Sequence, residues 1–152
     1  MPTSIQDLTI PARDGYSLGA TVYRAEGDNS PVVIIAAAAA VKRGYYTKFA
    51  TFFSENGFTV VTFDYRGIGD SRPKNIRNFG KMSHWGSEDV AGVITWAKTE
   101  LSPAKLFYIG QSSGGQVIGL AHNNTEIDAL YLVAAQSGNW MKWDGVYRLL
   151  ML

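Results

Sequence analysis

The sequence predicts an α/β protein with a mostly parallel sheet and helices on both of its faces. Two observations carry that expectation. Short unbroken apolar runs such as Val32-Val33-Ile34-Ile35 suit strands buried on both sides, and apolar residues at helical spacing separate one run from the next. Alternating strands and helices imply right-handed crossovers, and such crossovers join parallel neighbours.

The elements follow in order. Ile5–Ile10 reads as a short strand, closed by Pro11 and the turn pair Asp14-Gly15. Tyr16–Tyr23 alternates well enough for a second strand, so the chain opens with an antiparallel hairpin. Gly27-Asp28-Asn29-Ser30-Pro31 is a loop by composition. Val32–Ala36 is the first buried strand, and the alanines at 36–40 extend it, being too short a run to nucleate a helix alone. Tyr45, Phe49, Phe52 and Phe53 then fall at helical spacing, with Asn56-Gly57 as the stop. Phe58–Tyr65 is the next strand. Ser87-Glu88-Asp89 marks a helix start, with Val90, Val93, Ile94, Ala97 and Leu101 on one face and Pro103 past the end. Lys105–Ile109, Ser113–His122 and Ala129–Ala135 complete the series as strand, helix and strand.

Composition narrows the function classes. A net charge of +1 gives no electrostatic case for nucleic acid or an anionic membrane surface as partner. Without cysteine there are no disulfides and no thiolate metal sites, which fits a reducing compartment. The N-terminus lacks the plan of a signal peptide, and the longest apolar run, Val32–Val41, is about half of a membrane span. A cytoplasmic protein is the expectation. Neither a Rossmann fingerprint nor a P-loop is present, and the two histidines are too far apart to suggest metal-ligand spacing, so no cofactor and no metal are expected.

The chemistry centres on Gly110-Gln111-Ser112-Ser113-Gly114, which matches G-x-S-x-G between a predicted strand and a predicted helix. A turn this sharp holds the serine in a strained backbone conformation with its hydroxyl exposed, and glycine is needed on both sides. Ser112 is the candidate nucleophile, and the N–H of Ser113 is a candidate oxyanion donor. A second signature, D-x-R-G-x-G-x-S, runs from Asp64 to Ser71. Asp64 and Arg66 read first as residues that hold this loop by hydrogen bonds, with direct catalysis as the alternative.

With both motifs in place the chain resembles the α/β-hydrolase superfamily, in particular its esterase, lipase and serine-peptidase-like branch. The resemblance runs from the N-terminal hairpin to the strand at Ala129. It implies the N-terminal part of that fold, a sheet of order 1-2-4-3-5-6, and a site at the carboxyl edge of the strands. It also implies a serine hydrolase that cleaves an ester, thioester or small amide through an acyl-enzyme, with a small acyl compound as substrate. The second oxyanion donor of the family comes from the loop after the third strand, usually marked by His-Gly. Here alanines stand there, and Ala38 or Ala39 is the best-placed donor, unless these alanines only pack the strand end.

The base and acid of a triad are harder to find. The family order is Ser, then Asp or Glu, then His, with the last two after the seventh and eighth strands. His122, placed on the helix leaving the elbow, would lie about 15 Å along its axis from Ser112. His84 sits in the stretch from Arg66 to Gly86 at the carboxyl edge, as a rim or helix-start residue or, less in keeping with the family order, a base. The acids after Ser112 are Glu126, Asp128 and Asp144. Gln136 and Asn139 follow the last strand and form either pocket rim or a simple turn. An apolar ending from Trp140 to Leu152 completes a picture of residues 1–152 as one truncated domain. The alternative function is therefore an incomplete hydrolase-like domain that self-associates or binds a partner through that terminus.

Overall fold

The computed structural model describes residues 4–27, 29–74 and 80–136. Among these, six strands form one sheet in the order β1-β2-β4-β3-β5-β6, the order that the family resemblance implies. β1 (Ser4–Pro11) and β2 (Ser17–Arg24) form the antiparallel hairpin, and β2 also runs antiparallel to β4 (Thr59–Phe63). β3 (Val32–Ala36) lies between β4 and β5 (Leu106–Gln111) and is parallel to both, and β6 (Ala129–Val133) is parallel to β5. Every residue of β3 and β4 is buried, as expected of β-branched strands covered on both faces.

Three helices link the strands. α1 (Thr47–Glu55) follows a 3-10 turn at Arg43–Tyr46 and ends at Asn56-Gly57, with Gly57 at φ +89. α2 (Ala91–Leu101) buries Val93, Ile94 and Ala97 in the core. Its start differs from the Ser87-Glu88-Asp89 expectation. A π turn over Trp85–Val90 leads into it, and Asp89 faces inward to pair with Arg66 instead of capping the helix.

The helix after the elbow is shorter than the sequence predicts. Instead of reaching His122, α3 spans only Ser113–Val117 and passes through a 3-10 turn at Ile118–Leu120. Gly114, Gly115 and Gly119 lower its helical propensity, and Asn123 then fixes the exit by donating to the Ala91 carbonyl and to Thr95 Oγ1, each at 3.0 Å. His122 is therefore an exposed residue of the exit turn and not a helix-end residue. β6 is likewise shorter than expected, stopping at Val133.

Candidate active site

Ser112 occupies the turn between β5 and α3 at φ +51, ψ −115, a conformation that non-glycine residues avoid. Its N–H continues the sheet by donating to the Val133 carbonyl at 2.8 Å, and its own carbonyl accepts from the N–H of Gly115 and of Gln116. The strain is thus held by backbone bonds on both sides of the residue. The glycines explain themselves by distance. A Cβ at Gly110 would lie 2.6 Å from the Gly115 nitrogen, and one at Gly114 would lie 2.3 Å from the Ala36 oxygen. Side chains there would force the strand, the elbow and the end of β3 apart.

The loop after β3 approaches the elbow closely. Ser113, buried, aims its hydroxyl at the Ala37 carbonyl at 3.5 Å, the limit of a hydrogen bond. The Val41 N–H donates to the Ala38 carbonyl and closes a turn in which Ala40 sits at φ +61, where glycine is the usual occupant. The Ala38 N–H is already engaged: it donates to the Tyr46 hydroxyl at 3.1 Å, and Tyr46 in turn donates to Gln111 Oε1 at 2.6 Å. The N–H groups of Ala39 and Ser113 have no acceptor among the described residues.

The D-x-R-G-x-G-x-S loop is a scaffold in this structure. Asp64 is buried and accepts from the Arg43 N–H at 2.7 Å, from the Arg43 guanidinium at 2.5 Å and from the Asp70 N–H at 3.1 Å. Gly69, at φ +47, leaves room for this carboxylate, since a Cβ there would stand 2.3 Å from Asp64 Oδ2. Arg66 forks between two acids. It meets Asp14 with both terminal nitrogens, at 2.8 and 2.9 Å, and Asp89 with Nε at 2.7 Å, while its face lies 4.9 Å from the Tyr16 ring centre. Burial pushes the Asp89 carboxyl up to about 6, against the pull of its hydrogen bonds from Arg66. Asp14, more exposed, is held below its ordinary range by the Arg66 guanidinium.

The remaining candidates are spread out. No hydrogen bond joins either histidine to Ser112 among the described residues. His84 lies against Gly80, with Nδ1 buried and without a partner among the described residues, and the π turn that follows it packs Gly86 against the Val117 carbonyl at the far end of α3. Asp128 binds Lys105 at 2.7 Å and the Leu106 N–H at 2.8 Å, at the opposite edge of the sheet from Ser112. Glu126 pairs loosely with Lys98 at 4.0 Å. Gln136 is exposed, one residue beyond Ala135, which abuts Gly115 at the start of α3. Asn139, Asp144 and the apolar stretch from Trp140 lie outside the described residues.

Two residues are not singled out by the sequence: Arg43, which holds Asp64, and Tyr46, which reaches Gln111 beside the elbow. Arg43 and Tyr46 reach their partners across 21 and 65 positions, and no local pattern announces either contact. Among the described residues no group of three or more acidic or histidine side chains is arranged to hold a metal ion. No helix among them is long and apolar enough to cross a membrane.

Known proteins bear on this geometry. Residues 30–150 match the family described as alpha/beta hydrolase fold. An uncharacterised protein of Mycobacterium tuberculosis (strain H37Rv) is 29% identical over 121 residues, covering 76% of this chain and 41% of that protein. The lysophosphatidylserine lipase ABHD12 of Danio rerio is 32% identical over 136 residues, covering 82% of this chain and 34% of that protein. Among solved structures, a lidless α/β serine hydrolase of Xanthomonas campestris superposes with a TM-score of 0.71 at 23% identity, over 95% of this chain and 66% of that one. A highly thermostable carboxyl esterase of Bacillus coagulans gives 0.73 at 19% identity, over 86% and 44%. At such identities the superpositions speak for the fold. The chain spans 41% of the length of the first curated relatives it matches. By its family match across residues 30–150, the chain belongs to the α/β-hydrolase fold family.

Proposed function

We propose that the chain carries the nucleophile and oxyanion half of a serine hydrolase that cleaves an ester, thioester or small amide through an acyl-enzyme at Ser112. The observation that supports this most directly is the conformation of Ser112, strained at φ +51 between β5 and α3. Such strain is found where a side chain must be presented at a site. In the proposed reaction Ser112 Oγ adds to the acyl carbonyl carbon and gives its proton to a base. The carbonyl oxygen becomes an oxyanion facing the N–H groups of Ser113 and of the loop after β3. Collapse expels an alcohol, thiol or amine with a proton and leaves acyl-Ser112, which water then cleaves by the same steps in reverse. The names of an esterase and a lipase among the similar proteins favour an ester as substrate.

Neither His84 nor His122 is bonded to Ser112, so turnover by these 152 residues alone is expected far below that of a full triad. Covalent labelling is the more sensitive test. A fluorophosphonate probe is expected to label the protein at one site and to fail with Ser112→Ala. Folded wild-type protein that stays unlabelled at millimolar probe would defeat the reading.

A second reading is favoured by the state of β6. Leu130, Tyr131, Leu132 and Val133 are all exposed, Tyr131 by 66%. Natural edge strands are usually blunted by charge or proline, and this one carries neither. On this reading the domain acts by self-association or by binding a partner along that edge, and assembly rather than turnover is its property.

A further inference from the structure

The oxyanion site of the reading above needs donors from two separate segments, the elbow and the loop after β3. What fixes the distance between those segments is therefore as important as the donors themselves. Among the described residues two side-chain links span the gap. The first, from Ser113 Oγ to the Ala37 carbonyl, is at the 3.5 Å limit and holds weakly. The second runs through Tyr46, which leaves the 3-10 turn before α1 and is almost fully buried. Its hydroxyl accepts from the Ala38 N–H at 3.1 Å and donates to Gln111 Oε1 at 2.6 Å. Gln111 is the residue immediately before Ser112, so this one hydroxyl ties the donor loop to the nucleophile's own strand.

We propose that Tyr46 is a positioning residue for the oxyanion site, holding the loop after β3 in register with the elbow through Gln111. The consequence for the donors is specific. Tyr46 takes the Ala38 N–H and leaves the Ala39 N–H without an acceptor among the described residues. The loop donor that works beside Ser113 is then Ala39, with Ala38 serving the strut. Burial also raises the phenol above its ordinary range, so the hydroxyl keeps the proton it donates to Gln111 throughout the neutral range.

This rests on the serine-hydrolase reading, and two measurements separate its failure from the failure of that reading. The first is amide hydrogen exchange at Ala38, which needs no activity. Tyr46→Phe should speed it at least tenfold while amides of β3 stay protected, and unchanged exchange at Ala38 would overturn the strut. The second is fluorophosphonate labelling of Ser112. Tyr46→Phe and Gln111→Leu should each lower the maximal inactivation rate about tenfold with little change in probe affinity. The double variant should be no slower than the slower single one, because the two act as one unit.

Ile94→Val in α2 controls for lost stability, since it should lower the melting temperature without altering labelling. If wild type labels and Tyr46→Phe labels equally fast, the positioning role falls and the hydrolase reading stands. If wild type never labels, the hydrolase reading and the role in it fall together, and the exchange result alone decides whether the strut exists.

Discussion

At Ser112 the cost of the elbow is open to direct measurement. A residue with a Cβ held at φ +51 costs about 1–3 kcal/mol relative to a relaxed backbone, and glycine escapes that cost. Ser112→Gly is therefore expected to be about 1 kcal/mol more stable than Ser112→Ala in denaturant titrations, since both lack the hydroxyl and only glycine relieves φ. Gly114→Ala should move the other way, by several kcal/mol, because its methyl would have to fit 2.3 Å from the Ala36 oxygen. If that variant proved neutral, the close approach of loop and elbow would be wrong. The motif made this residue readable from sequence: strand, glycine, serine and glycine fix a turn from local chemistry alone. Tyr46 and Arg43 were not readable, because their value lies in partners far along the chain.

At the scale of elements, Arg66 pins three pieces together: Asp14 of the hairpin turn, the end of β4, and Asp89 at the head of α2. The pH dependence follows from the two carboxylates. Asp89 titrates near 6 when folded, above its ordinary value, so between about pH 4 and 6 the native state binds more protons than the unfolded one. Its contribution to stability is full below that window and falls as the pH rises through it, by on the order of 3 kcal/mol. Asp14 is held low and works in the opposite sense, losing its contribution as the pH falls below the ordinary carboxylate range. Urea unfolding from pH 4 to 7 should show the Asp89 slope in wild type and none in Asp89→Asn. The strands were legible from their β-branched runs and the hairpin from its turn residues. The length of α3 was not, since the apolar residues from Val117 to Leu120 suggest a longer helix than Gly114, Gly115, Gly119 and the Asn123 bonds allow.

Among the described residues the sheet has two unlike edges. β1 carries Ser4, Gln6, Asp7 and Thr9 and ends in Pro11, while β6 is Ala-Leu-Tyr-Leu-Val without a charge. An apolar cleft of about 530 Å³ runs beside β6, lined by Phe49, Phe53, Phe58, Phe107, Leu130 and Tyr131. Light scattering is expected to show mass rising with concentration, and Tyr131→Lys is expected to reduce it by placing a charge on the edge. A monomer at all concentrations would remove self-association from that reading.

The fork at Arg66 has one more consequence, for where this protein can be cut. The family match starts at residue 30, which would suggest that the hairpin is an accessory. Yet Asp14 supplies one of the two carboxylates on Arg66, the Gly19 N–H binds Ser71, and β2 covers the outer edge of β4. A chain begun at residue 30 should lose its sharp, single-step melting, because the unit that unfolds together reaches back to the first strand whatever the limits of sequence likeness.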